Sequence, residues 1–432
     1  MLRRKIDADL RKWKQNGAKQ VLCLAGAPET GKAAAARAFG KNNYPTVIEL
    51  NFQDFPEHSQ IFSVPDPEGI FARLTALTNQ EIQDQKTLLI LAEIQQSPKA
   101  QAAVAFLLES RRVDILITQS LPPGGQSDRI SFSDDSVLVL PMFPMSFEEF
   151  LWALQLPQTT LDLLRDCYEK KKPVDEVIHA RMLELFGLYM AVGGMPEAVQ
   201  TYIDTHDLAR VEAVHASILK RYRQDIQTFA GRKEKERIRD VFDAIPGQLC
   251  AKNKRFKVAR INRKARHYQF ENSLSWLETA GLALPCTNVS APVSLLSRHE
   301  KRNLFKLYLC DTGLLCSLLG GSTAFQLLLG DLGVHLGGVL ENVFAQELKS
   351  RNLNLFYFDA KRKYNLDFLV EKDGQIAVVQ IQSGKFWKKH ASLDQALQHP
   401  DWKLDSAIVF CQGNLEKTEQ VLYLPYYMIQ FL

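Results

Sequence analysis

No two of the seven cysteines stand in a CxxC spacing, and the nine histidines form no group with metal-ligand spacing. The pattern therefore offers neither a zinc ribbon nor a disulfide framework. Single cysteines such as Cys23, Cys167 and Cys310 read as reduced, mostly buried thiols of a cytoplasmic protein. No apolar run approaches the roughly 18 to 20 residues that cross a bilayer, so no membrane partner is expected. The opening MLRRKIDADLRKWKQ is charged throughout and lacks the apolar stretch of a secretory signal. Internal repeats and low-complexity segments are absent as well. A net charge of +4 is too small to imply a polyanionic partner by itself.

What is present is an ordinary globular composition, 46% apolar and 24% charged over 432 residues, enough for two to four domains. Over the first 155 or so residues, short apolar runs alternate with helical patterns: VLCLA, TVIELNF, KTLLILAEI, VDILITQS and SVLVLP. Such alternation predicts an α/β domain with a parallel sheet. The middle, to about Ser297, reads as mostly helical. From about Lys301 the α/β pattern returns, with an Asp-Gly hairpin signal in EKDGQ.

Between VLCLA and the alanine-rich KAAAARAFGK lies GAPETGKA, a phosphate-loop pattern without its final Ser or Thr. Gly26, Ala27, Pro28, Glu29, Thr30, Gly31, Lys32 and Ala33 are the candidate nucleotide-binding residues. Backbone amides and the helix N-terminus would make an anion nest, with Lys32 reaching the β- and γ-phosphates. The run TLLILAEIQ has the form of a Walker B strand in which Ala92 replaces the metal-binding Asp, while Glu93 remains to orient water. Thr118 and Ser120 end a third strand where a polar tip would meet the γ-phosphate. Both groups that usually organise Mg²⁺ are thus methyls. Mg²⁺ would be held mainly through the phosphates, and hydrolysis should suffer more than binding.

GAPETGKA, AEIQ, PMSFEEFL, GGMPEAV, FKLYLCDTGLL and LENVFAQEL together resemble a prokaryotic family of AAA-type P-loop ATPases. Its members carry a C-terminal restriction-endonuclease-like domain of unknown function. The resemblance spans nearly the whole chain. It implies a nucleotide-binding domain over 1–155, a helical lid and winged-helix-like region over 156–300, and the nuclease-like domain over 301–432. Arg129 falls near an arginine that would sense nucleotide, in cis or across a subunit contact, and an oligomer is compatible with this class. Glu29 stands where relatives often carry a basic residue.

In nucleases of the resembled type, an Asp on one strand and a Glu-x-Lys on the next surround Mg²⁺. Here Asp367 is kept, Gln380 and Gln382 take the other two places, and Glu341 is a further carboxylate. Nuclease activity is therefore not expected. The stretch Lys252 to Arg266 holds eight Lys or Arg and no acid, a candidate nucleic-acid contact or a solvated face. The expectation is an ATP-binding AAA-type protein with weak or no hydrolysis. The alternative is a non-enzymatic nucleic-acid- or protein-binding module that keeps a degenerate ATPase fold.

Overall fold

The computed structural model describes residues 2–120, 136–231, 234–320, 322–328, 337–360, 364–372, 374–384, 386–402, 404 and 406–432. The chain divides into two compact units. The first comprises Met1–Phe143, Gln224–Ile238 and Asn272–Gly281; the second comprises Pro144–Arg223, Arg239–Glu271 and Leu282–Leu432.

The five apolar runs of the N-terminal part form five parallel strands. They are β1 (Val21–Ala25), β2 (Thr46–Asn51), β3 (Thr87–Ala92), β4 (Val113–Gln119) and β5 (Val137–Pro141). Their order in the sheet is β2-β3-β4-β1-β5, with every pairing parallel. Strand β1 is therefore flanked by β4 and β5, and β3 lies one strand away. Because side chains alternate between faces, the sheet buries two separate sets. Cys23, Leu89, Leu91, Ile115 and Ile117 pack in one core, and Leu22, Leu24, Leu88, Ile90 and Leu116 in the other. This two-sided burial is why these strands read as continuous apolar runs.

Among the described residues, helices pack over the sheet. Helix α1 (Ile6–Gln15) buries Ile6, Leu10 and Trp13, spaced to share one face, and carries Asp7 and Asp9 early and Lys12 and Lys14 late, matching its dipole. Helix α2 (Lys32–Asn43) starts at the phosphate loop and shares the second core with α1. Asp66 caps α3 (Pro67–Thr78) and Ser97 caps α4 (Pro98–Ser110), each through a side-chain oxygen.

The second unit holds a mixed eight-stranded sheet in the order β12-β13-β11-β10-β9-β8-β6-β7. Its strands are β6 (Ala283–Val289), β7 (Glu300–Leu309), β8 (Phe356–Ala360), β9 (Tyr364–Lys372), β10 (Gln375–Ile381), β11 (Ala407–Cys411), β12 (Glu416–Lys417) and β13 (Val421–Pro425). β9 and β10 pair antiparallel and flank Gly374, whose φ of 76° suits the expected hairpin.

Four of the six segments that carry the family resemblance, PMSFEEFL, GGMPEAV, FKLYLCDTGLL and LENVFAQEL, lie in this unit. SFEEF starts a helix with a capping box, in which Ser146 N–H donates to Glu149 Oε2 at 2.8 Å. Gly194 approaches the chain so closely that a Cβ there would lie 2.1 Å from Met145 O. Its N–H donates to Asp311 Oδ2 at 2.6 Å. Glu347 accepts from Phe147 N–H at 2.6 Å and from Tyr189 Oη at 3.0 Å. Asp311 and Glu347 are fully buried, so each depends on these donors to offset desolvation.

The basic run is not a helix. It follows an irregular path with short turns at Val258–Arg260 and His267–Gln269. Asn253 and Asn262 accept from the amides of Arg255 and Lys264, both at 3.0 Å, and these local bonds compete with helix formation.

Candidate nucleotide-binding site

The loop Gly26–Lys32 leaves β1 at the carboxyl end of the sheet, where open α/β sheets place their ligands. Gly26 is buried, and a Cβ on it would stand 2.1 Å from Met142 O, so no other residue fits that path. Gly31 has φ 91° and stands immediately before α2, while Glu29 is exposed with φ 65°. Lys32 folds over its own loop, donating to Gly26 O at 3.0 Å and Ala27 O at 2.7 Å. Thr30 Oγ1 donates to Ala27 O at 2.9 Å.

Ala27 O thus takes two inward donors, and the following residue is Pro28, which has no N–H. Turning that peptide inward removes no anion-binding amide. From outside, Arg4 Nη1 donates to Thr30 O at 2.9 Å. The loop is a closed, internally braced ring with the glycines and lysine a phosphate chain needs. A triphosphate fits this chemistry.

The metal half of the site is different. Ala33, in the first turn of α2, carries a methyl in place of a hydroxyl. Ala92, buried at the end of β3, falls by alternation on the face of Leu88 and Ile90, the face α2 covers. No side chain at either position offers an oxygen to a cation. Among the described residues, no group of three His, Cys, Asp or Glu is arranged to hold a metal ion.

Glu93 is the surviving carboxylate, and both its oxygens are engaged. Ser120 Oγ donates to Oε1 at 2.7 Å and Gln95 Nε2 to Oε2 at 2.6 Å. Its own amide, at φ 54°, donates to Thr118 Oγ1 at 3.1 Å. Thr118 and Ser120 thus meet Glu93, which the strand pattern anticipated only as nearby polar tips. Gln95 and Arg4 were not legible as site residues: Gln95 lies in a short turn, and Arg4 in a charged opening where burial leaves no mark. Arg129 falls within 121–135, outside the described residues.

In the second unit, Glu341 on the helix Gly337–Lys349 is near enough to Asp367 for their charges to interact. Glu341 accepts from Lys306 Nζ at 3.0 Å and Tyr308 Oη at 2.8 Å, and pairs with Lys254. Burial alone would raise its pKa, but Lys306 and then Lys254 outweigh this and hold it down at about 2. Asp367 is pushed up to about 6 by burial and by the neighbouring Glu341 charge. Its Oδ2 accepts from Ile381 N–H at 2.9 Å, and its own N–H donates to Gln380 Oε1 at 3.4 Å. Lys306 and Tyr308, in FKLYL, are partners the sequence did not single out.

Residues 18–151 match a family model described as an AAA domain. With the five-stranded parallel sheet and its loop, this defines an AAA-type P-loop domain at the N-terminal end of the chain. Residues 183–324 match a domain of unknown function (DUF8612). No curated protein sequence shows significant similarity to the chain. Among solved structures, a Walker-type ATPase of Pyrococcus abyssi is 13% identical, with a TM-score of 0.42 over 74% of this chain and 96% of that one. A RuvB variant of Thermotoga maritima is 11% identical, with a TM-score of 0.30 over 65% and 86%. No helix among the described residues is long and apolar enough to cross a membrane.

Proposed function

We propose that the N-terminal domain binds ATP in the Gly26–Lys32 loop and hydrolyses it slowly or not at all. The observation that carries this reading is the contrast within one site: a phosphate loop that keeps Gly26, Gly31 and Lys32 beside two methyls where metal anchors would stand. Bound Mg²⁺ would keep its water and phosphate ligands and gain little from the protein. Glu93, held between Ser120 and Gln95, is further restrained from orienting a water. ATP would then act as a conformational ligand. Nucleotide titration with and without Mg²⁺ tests this. Lys32→Ala removes a charge-assisted phosphate contact worth roughly 1.5–3 kcal/mol, a loss of about ten- to a hundredfold in affinity. Equal ATP affinity in wild type and Lys32→Ala would sink the reading.

A second reading rests on the basic run. Lys252, Arg255, Lys257, Arg260, Arg263 and Lys264 form no ion pair among the described residues. Phe256 and Val258 are buried and anchor the run, which leaves Lys252, Lys257, Arg260, Arg263 and Lys264 exposed. This run carries twice the chain's net charge of +4, so positive charge is concentrated here. Nucleic-acid contact would show a log–log salt slope of about −0.7 per phosphate neutralised on single strands. A salt-independent or absent interaction would overturn it.

A further inference from the structure

We infer that Arg4 is a positioning residue for nucleotide binding, an outer brace that aims the Gly31 amide into the phosphate loop. This rests on the ATP-binding reading above and adds a residue that lies outside the loop motif. Arg4 is only 8% exposed, although Arg3 and Lys5 on either side are exposed. Its guanidinium donates to two backbone carbonyls, Thr30 O at 2.9 Å and Phe143 O at 2.7 Å. The first belongs to the loop and the second to the segment after β5, so one planar fork ties together two stretches remote in sequence. The Arg4 position is itself fixed. Its N–H donates to Asp7 Oδ2 at 3.0 Å, and α1 follows directly, with Trp13 packed on Phe39 of α2 at 6.1 Å between ring centroids.

The consequence follows from peptide geometry. In a trans peptide, the carbonyl and the next residue's N–H point in opposite directions. Drawing Thr30 O toward Arg4 turns the Gly31 N–H the other way, toward the hollow of the loop. Gly31 has φ 91°, so its own conformation does not fix that peptide plane as strongly as a side chain would. On the opposite limb, Lys32 draws Gly26 O inward, and Ala27 N lies within 3.0 Å of where a Cβ on Gly281 would stand. The inner lysine and the outer arginine therefore orient opposite limbs of one ring.

The experiment compares wild type, Arg4→Ala, Arg4→Lys, Lys32→Ala and the Arg4→Ala/Lys32→Ala double variant, all as full-length chain. Affinity for a fluorescent ATP analogue, with ATP and ADP as competitors, is read beside hydrogen exchange of peptides covering residues 26–33. Arg4→Ala should weaken binding about tenfold and speed loop exchange without speeding exchange in β3 and β4. Arg4→Lys, which keeps a donor but loses the planar fork, should recover part of both and guards against a variant that fails to fold. In the Lys32→Ala background, the Arg4 effect on affinity should shrink, because both act on one loop. Unchanged affinity in Arg4→Ala, or a loss of the same factor in both backgrounds with exchange raised throughout the unit, would overturn the assignment. If wild type binds no ATP while Arg4→Ala still loosens the loop selectively, the nucleotide reading falls and takes the binding role of Arg4 with it.

Discussion

Lys306 Nζ lies 3.0 Å from Glu341 Oε2, and both side chains are 7% exposed. An ammonium thus stands against the carboxylate that the nuclease-like pattern would offer to a metal ion. Two buried charges repay their desolvation only while both are present. Lys306→Met should therefore cost up to about 3–5 kcal/mol in urea unfolding, as Glu341 loses its buried ammonium and keeps Tyr308 and the less buried Lys254. Adding Glu341→Gln should recover much of that loss. Additive losses in the double variant would show that the two do not act as a pair.

Asp367 gives a pH signature of opposite sign to that of a salt-bridged carboxylate. Its pKa is raised from 3.8 to about 6 in the folded chain, so the folded state holds the proton more tightly. Its contribution is full below pH 4 and is lost as pH rises through 6. Asp367→Asn should gain stability relative to wild type at pH 8, on the order of 1–3 kcal/mol, and lose that advantage near pH 4. Thermal melts across this range would detect it. An advantage independent of pH would contradict the assignment.

The methyls at Ala33 and Ala92 make hydrolysis repairable in principle. Ala33→Thr with Ala92→Asp restores an oxygen at each metal-anchoring position. The double variant should turn over ATP faster than wild type, and Ser120→Ala in that background should alter the rate further by freeing Glu93 Oε1. A wild-type rate within the common range of roughly 1–1000 per second would defeat the argument for a weakened site.

Gly26→Ala tests the loop's packing apart from its chemistry. The added Cβ would meet Met142 O at 2.1 Å, and backbone cannot yield as a side-chain tip does. The variant should lose roughly 1–3 kcal/mol or more and bind ATP poorly. Wild-type melting and affinity would show that the loop has slack.

For the second unit, purified protein should leave DNA and RNA intact with Mg²⁺ or Mn²⁺. Gln380 and Gln382 carry no charge, and Lys254 and Lys306 engage Glu341. Metal-dependent cutting that Asp367→Ala abolishes would reverse this expectation.

The N-terminal fold was legible because its central strands β1, β3 and β4 are buried on both faces and therefore announce themselves as apolar runs, with the half-buried edges β2 and β5 still rich in Val, Ile and Leu. The loop was legible because Gly26, Gly31 and Lys32 sit between a strand and a helix former. The surrounding contacts were not. Arg4 reaches the loop across 26 residues and Phe143 across 139, and no local pattern encodes such a meeting. Lys306 was hidden in a strand run, where a buried lysine looks like an edge cation until its partner is seen. The irregular path of the basic run turned on Asn253 and Asn262, whose local bonds outcompete the helix that its surroundings suggested.

The asparagine at 414 bonds both the N–H and the carbonyl of Val174, 240 residues earlier in the chain. Phe147 likewise waits 200 residues for Glu347. The parallel sheet, by contrast, has all its strands by Pro141. On the ribosome the two units should mature at different times. The nucleotide loop can close while synthesis continues, but the second unit cannot finish until the last strands emerge. Arrested nascent chains ending near residue 300 should already resist protease over the first sheet while their later helices remain open to cleavage.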